Sequence, residues 1–396
     1  MLITKYINSF EDLEALSEKW DTLLQQSINY TYSLSWNWVF NWVRIYIEEQ
    51  NKLLCIAVYD KNDLVGIAPF WIEQKQQLLF KPIRILRFIG SKEICPDHLD
   101  LIIHKKNSKE ICAEIWEHLF NNLHKKWDIW EYNSVSVHSP ILQILRKLSD
   151  NDRRNLGFSI NNYEVCPYIQ LPESWNIYLE SLSANQRRAL KISGDRISKL
   201  GTITLKFCET IQELPEFMET HINLHKKSWA DRGKTGSFRT EQFRRFHNEF
   251  ARDCLNNGSL FLCNLELDNI PIGSFYGFVY NKTLLYYLIG VNRSAVPTAN
   301  IGRVLLGYCI KEAIRRGYNG FDFLRGSESY KYDWTNLEQQ ELFVTFYNRS
   351  FRALVFILKQ FLSSFCRQYG YVLLGEKVKN LKRLYDGIFK RKLFFK

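Results

Sequence analysis

The run GSESYKYDW, Gly326–Trp334, gathers Glu328, Tyr330, Lys331 and Asp333 directly after an apolar segment that carries Asp322. Together these side chains can move protons. A carboxylate takes one from an amine, a tyrosine returns one to a departing thiolate, and a lysine neutralises a phosphate or an oxyanion. The same residues would also make a solvated turn with a surface ion pair. Position favours chemistry, because ligands of α/β sheets collect beyond the carboxyl ends of strands, where this run begins. Glu328 is the candidate general base, Tyr330 the general acid and Lys331 the anion contact, with Asp322 a second base candidate.

Upstream, the strand-like LLYYLIGVN is followed by RSAVPTAN and then by the helical IGRVLLGYCIKEAIRRG. A helix that starts just after a strand offers free amides and the positive end of its dipole. Asn300, Ile301, Gly302 and Arg303 are therefore candidates for holding a pyrophosphate. Gly302 would let a phosphate approach the backbone closely, although an ordinary strand–helix turn accounts for a lone glycine equally well.

Other clusters are less specific. His221 and His225 in HINLH have a spacing that can bind zinc, but no third ligand accompanies them, and a helix face explains them better; no metal is expected. Asp97, His98 and Asp100 in CPDHLDL either contact a substrate in a cleft or cap a sheet edge. With Trp229 they are the candidates for the acceptor side. The many Trp and Tyr residues are expected in the core rather than on a glycan-stacking platform.

These residues need a scaffold, and the chain shows one built twice. LLCIAVYDKNDLVGIAPF (Leu53–Phe70) aligns without gaps on LFLCNLELDNIPIGSFYG (Leu260–Gly277), placing Val58 on Leu265 and Gly66 on Gly273. Each is a strand, a polar turn and a second strand carrying a glycine. The flanking elements recur in the same order. Strand Ile83–Phe88, helix Ile111–Lys126 and strand Ile129–Tyr132 answer to strand Leu284–Val291, helix Ile301–Arg316 and strand Phe321–Leu324. The reading is an α/β fold of two tandem, duplicated halves, each a mixed sheet with helices on its faces. The first spans residues 1–165 and the second residues 166–350, with the boundary near Pro167; a helical tail fills residues 351–396. Ser183 is expected to cap a basic helix that begins SANQRRALK.

Bulk properties agree. The chain has 396 residues and a net charge of +11, and residues 351–396 account for +9 of it through eleven Lys/Arg against Glu376 and Asp386. The body is nearly neutral. Nine cysteines stand singly with no CxxC pair, which suggests neither a disulfide framework nor a zinc knuckle and fits a reducing cytosol. The N-terminus has acids where a signal peptide needs an apolar core, and no transmembrane helix is expected. Phe351–Phe365 is apolar and expected to pack on the second half. In 376–396, Val378, Leu381, Leu384, Tyr385, Ile388 and Phe389 recur at helical steps among lysines and arginines, a pattern suited to an anionic membrane surface. An RNA contact or a solvated helix is the competing reading. The expected place is the cytoplasm, with possible peripheral contact at the inner face of the membrane.

GxExYKxxW after FDF, the IGRVLL…AIRRG helix and CPYIQLPESWNIYLESLSANQRRALK resemble the CelD/BcsL-type acyltransferases of the GNAT superfamily, distant relatives of the FemABX aminoacyltransferases. SLSWNWVFNW and PDHLDL share the resemblance, which covers most of residues 15–350. It implies an N-acyltransferase that takes an acyl group, acetyl by default, from acyl-CoA to an amine on a sugar, glycan or lipid-linked precursor, as in cell-surface polysaccharide synthesis. It also implies that Leu288, Ile289 and Val291 offer backbone to the pantetheine arm and that Asn300–Arg303 meet the pyrophosphate. The family's phosphate loop reads Q/R-x-x-G-x-G/A; here Ala299 and Val304 stand at its outer positions and only Gly302 survives. That leaves open acetyl-CoA, a longer acyl-CoA or aminoacyl-tRNA as donor. The basic Arg187/Arg188/Lys191 helix and the tail would serve a tRNA. A third possibility is a non-catalytic protein that keeps the fold.

Overall fold

The computed structural model describes residues 2–47, 52–77 and 80–373. The first half runs β1 (Leu2–Ile7), α1 (Phe10–Glu14), α2 (Ser17–Gln26), α3 (Trp36–Tyr46), β2 (Leu53–Asp60), β3 (Asp63–Gln77), β4 (Phe80–Phe88), β5 (Ile102–Ile103), α4 (Ser108–Glu117), β6 (Ile129–Ser136) and α5 (Pro140–Asn151). β7 (Asn155–Gln170) follows. The second half runs α6 (Trp175–Ser181), α7 (Ala184–Ser198), β8 (Ile203–Phe207), α8 (Leu214–Ala230), α9 (Glu241–Asn256), β9 (Leu260–Leu267), β10 (Ile270–Tyr280), β11 (Thr283–Val291), α10 (Ile301–Arg315) and β12 (Gly320–Asp322). β13 (Glu338–Asn348) and α11 (Phe351–Leu373) complete it.

The strands join into one mixed sheet in the order β1-β2-β3-β4-β6-β13-β7-β12-β11-β10-β9-β8, with β5 paired to β3. Read inward from either end, the two halves match: three antiparallel steps, one parallel step, then an antiparallel partner. The repeat also holds in register, since Val58 faces Gly66 and Leu265 faces Gly273. Both glycines sit under a crossing helix. A Cβ on Gly66 would lie 2.5 Å from Ile111 Cγ2 of α4, and one on Gly273 would lie 3.1 Å from Leu305 Cδ2 of α10. Ile111 is stiff at χ1 and cannot swing away. Gly66→Ala is therefore expected to destabilise by about 1–3 kcal/mol through overpacking, seen as a lower urea midpoint at unchanged m-value.

The sixth strands are exchanged. β7 follows the first half yet its Tyr168–Gln170 end pairs with β12, while β13 follows the second half yet pairs with β6. β7 and β13 pair with each other along most of their length. The expected boundary near Pro167 thus falls inside a strand shared by both sheets, and β13 belongs structurally to the first half although it lies within residues 166–350.

Aromatic packing closes the rest. Trp38 of α3 meets Phe246 and Phe250 of α9 at ring-centroid distances of 4.8 and 5.0 Å, so one apolar core runs through both halves. Trp20, Trp38, Trp42, Trp127 and Trp130 are fully buried, as expected of core residues. Ser183 caps α7 in a reciprocal capping box with Gln186. α11 departs from expectation. It packs Ala353, Phe356 and Ile357 on Ile83, Ile85 and Ile129 of the first-half sheet, because β13 has carried the chain there. Among the described residues, no helix is long and apolar enough to cross a membrane. The tail segment 376–396 lies outside the described residues.

Candidate active site

β11 and β12 pair in parallel only at Thr283–Gly320, Leu284–Phe321 and Leu285–Asp322. β12 ends there, while β11 continues to Val291 against β10. One edge of β11 is thereby left facing a cavity of about 900 Å³, which Leu288, Ile289 and Val291 line. Asn300, Ile301, Gly302 and Arg303 line the same cavity. α10 starts here because the Asn300 side chain accepts from Arg303 N at 3.0 Å, the N-cap that an asparagine supplies. The Gly302 Cβ position is open, with nothing nearer than 3.6 Å. Arg303 is turned to Asp333 at 2.7 Å.

The loop after β12 forms the opposite wall. Tyr330 is 38% exposed, but its hydroxyl reaches the buried Tyr286 of β11 at 3.2 Å. Desolvation, opposed by that hydrogen bond, pushes the Tyr330 phenol up to about 12, so it is a proton donor at neutral pH. Glu328 lines the cavity and pairs with Lys331 Nζ at 3.1 Å. Lys331 is buried, and its other donors go to Leu324 O at 3.1 Å and Arg325 O at 2.6 Å. With two hydrogen bonds to backbone carbonyls and its charge paired with Glu328, Lys331 fastens the loop and orients Glu328. A buried ammonium needs a full set of acceptors, and these are the ones in reach.

Asp322 faces elsewhere. Its Oδ1 accepts from Leu324 N at 2.7 Å and its Oδ2 from His98 Nε2 at 2.9 Å. His98 Nδ1 donates to Glu341 Oε1 at 2.6 Å, so the imidazole bridges β12 and the exchanged β13. Burial lowers the His98 pKa, but Glu341 and Asp322 outweigh it and hold the pKa well above the ordinary value. Burial pushes the Glu341 carboxyl up in turn. Cys166 Sγ and the His98 and Glu341 ligand atoms lie within 4.8 Å of one another, and both ring nitrogens are already spent on carboxylates. Asp97 lines the cavity but is bound by the Arg325 side chain and by Arg325 N at 3.0 Å. Asp100 is buried, held by Tyr132, Asn29 and Ser139, the last at 2.6 Å. Burial raises it to about 6 against those hydrogen bonds. Asp97 and His98 thus join the halves, and Asp100 anchors its segment within the first.

That segment sets the two halves apart in structure. β4 and β6 part after three parallel pairs, as β11 and β12 do. Beyond that point Leu99 N bonds Ser134 O of β6 at 2.8 Å, and Tyr132 of β6 holds Asp100, so the chain's own CPDHLDL lies against β6. Trp229 does line the cavity, and Arg232 and Lys234 each stand 5.7 Å from its ring. Among the described residues, Arg232, Lys234 and Arg293 line this cavity without an ion-pair partner. These cations, Arg325 and Tyr286 were not singled out from sequence; the FLRG after β12 and the ADRGK after Trp229 are their signals. His221 and His225 lie on a buried helix face. His225 Nδ1 donates to Ile289 O at 3.0 Å and its Nε2 accepts from Ser237 N at 3.2 Å, which fixes a neutral ring that supports β11.

Residues 184–332 match the family model described as an acetyltransferase (GNAT) domain. Most of the cavity lining falls in that stretch or directly after it, and Glu93, Cys95 and Asp97 of the first half complete it. Within the second half, this stretch is thus similar to a GNAT acetyltransferase domain. Likeness of fold to solved structures extends further along the chain. FemX aligns at 12% identity over 87% of this chain and 97% of its own, with a TM-score of 0.56. L-PGS from Bacillus licheniformis aligns at 10% identity over 87% and 95%, with a TM-score of 0.50. A conserved protein of unknown function from Bacteroides thetaiotaomicron gives 11%, 87% and 100%, again with a TM-score of 0.50. At such identities the likeness concerns the fold alone. No curated protein matches the sequence.

Proposed function

We propose that this chain is an N-acyltransferase of the kind the CelD/BcsL resemblance implies, moving an acyl group from acyl-CoA to an amine on a sugar, glycan or lipid-linked precursor. The observation that carries the reading is the edge of β11 that no strand covers, touched by His225 at Ile289 O, beside the first turn of α10 and opposite Tyr330 in one cavity. An extended amide-bearing arm can lie along such an edge as an added strand, with its phosphates at the helix start. Glu328 removes the proton from the acceptor ammonium, and Tyr330 returns one to the departing thiolate. Lys331 holds Glu328 in place. The unpaired Arg232, Lys234 and Arg293 favour anionic ligands in the same cavity.

Calorimetry with acetyl-CoA, a longer acyl-CoA and an aminoacyl-tRNA tests the donor. Saturable acyl-CoA binding is expected. Gly302→Asp should weaken it about tenfold or more with an unchanged thermal melt, because the new carboxylate projects into open space at the helix start and opposes a phosphate there. Binding of aminoacyl-tRNA alone, or a Gly302→Asp protein with undiminished acyl-CoA affinity, would remove this reading.

A further inference from the structure

The face of α11 turned away from the first-half sheet is apolar. Phe351, Leu354, Leu358 and Leu362 are 71%, 45%, 51% and 57% exposed. Steps of three and four residues align them in one stripe along the helix. Scattered exposed apolar residues are ordinary on a folded protein, but a contiguous stripe marks a surface that something covers. The stripe is held in a fixed orientation. Ser350 Oγ donates to Asp128 Oδ1 at 2.9 Å, Arg352 reaches Asp128 at 3.7 Å, and Lys359 Nζ donates to Gln77 Oε1 at 3.1 Å.

The chain that continues from this helix supplies the complementary signal. Residues 374–396 contain eight Lys/Arg against Glu376 and Asp386, with Leu381, Leu384, Ile388 and Phe389 among them. Apolar side chains next to a dense cationic segment match one surface that is apolar within and anionic at its face. A protein partner would explain the stripe and leave the cations without a counterpart. We propose that the exposed stripe of α11 docks in the interface of an anionic lipid bilayer, whose charge is complementary to that of the adjoining sequence. The helix lies on the membrane and does not span it. This inference rests on α11 and the adjoining sequence, independently of the acyl-transfer reading.

Co-sedimentation of the full chain with vesicles tests it. The protein is expected to bind phosphatidylcholine–phosphatidylglycerol vesicles, to bind them less at high salt, and to leave vesicles of phosphatidylcholine alone in the main unbound. The double substitution Leu354→Glu/Leu358→Glu should cut partitioning about tenfold or more while keeping the thermal melt and every cation of the tail. Leu354→Ser/Leu358→Ser, a milder pair at the same exposed positions, should give a smaller loss in the same direction. Undiminished binding by both folded variants would overturn the assignment of the stripe. Failure of the unaltered protein to bind the anionic vesicles would overturn the bilayer as partner. A dimer in light scattering that the glutamates dissociate would assign the stripe to a second copy of the chain and overturn the proposal as well.

Discussion

Glu328→Gln is expected to lower the acyl-transfer rate about 10²–10⁴-fold while leaving acyl-CoA affinity intact. An acceptor amine is mostly protonated near neutral pH, and only the neutral amine attacks, so a group near it must accept the proton. Glu328 lines the cavity and is held by Lys331 at 3.1 Å. Asp322, the other carboxylate at this strand end, has its oxygens committed to Leu324 N and His98. The loss should be greatest at low pH, where the fraction of neutral amine is smallest, and should shrink as the amine deprotonates unaided. Tyr330 adds no alkaline limb in the neutral range, since its phenol is pushed up to about 12. A rate profile for Glu328→Gln that overlays the unaltered enzyme from mildly acidic to mildly basic pH would place the base elsewhere. Lys331→Gln offers a contrast. It frees Glu328 and also leaves Leu324 O and Arg325 O without their donor, so both rate and thermal stability should fall.

The local part of this site was legible in the sequence because local rules produce it. The hairpin repeat fixes Val58–Gly66 and Leu265–Gly273 in the same register, and strand-then-helix order puts Asn300 at an N-cap. Tyr330 and Glu328 follow a strand end and therefore line the cavity beyond it. What escaped was set by partners far along the chain. EQQELFVTFYN alternates as a strand should, but alternation does not say which sheet takes it, and β13 crosses into the first half. Exchange of sixth strands costs no contact, because each sheet still receives an equivalent edge, so it leaves no trace in either repeat. Asp97 and His98 look from sequence like a polar cluster beside a cleft; Arg325, Asp322 and Glu341, more than 220 residues away, convert them into joints. The apolar pattern of α11 was visible, yet its inner and outer faces were assigned only when β13 delivered it to Ile83, Ile85 and Ile129.

Those joints carry the second large effect. His98→Leu is expected to destabilise the fold by about 3–5 kcal/mol near neutral pH, the cost of leaving a buried charge without its partner. Here two carboxylates, Asp322 and Glu341, lose the one cation between them, and Glu341 Oε2 already has no hydrogen-bond partner. Arg325 is committed to Asp97 and does not replace it. The loss should depend on pH in a defined direction. The His98 pKa is raised in the fold, so its contribution is complete below the unfolded value of about 6.5 and fades as pH rises through the higher folded value. Glu341 is also raised, so its proton is held more tightly in the fold, and the stability this gives is greatest in acid. The unaltered protein should therefore lose stability on the alkaline side of neutrality. His98→Leu should lack that slope and should recover part of its stability on acidification, where the raised Glu341 carboxyl takes up its proton and needs no cation. Urea midpoints across about pH 5 to about pH 9 would show this as two curves that stand furthest apart near neutrality, converge in base and narrow their gap in acid. Parallel curves, or a loss under about 1 kcal/mol at neutral pH, would mean that His98 is not the charged joint between β12 and the exchanged strand.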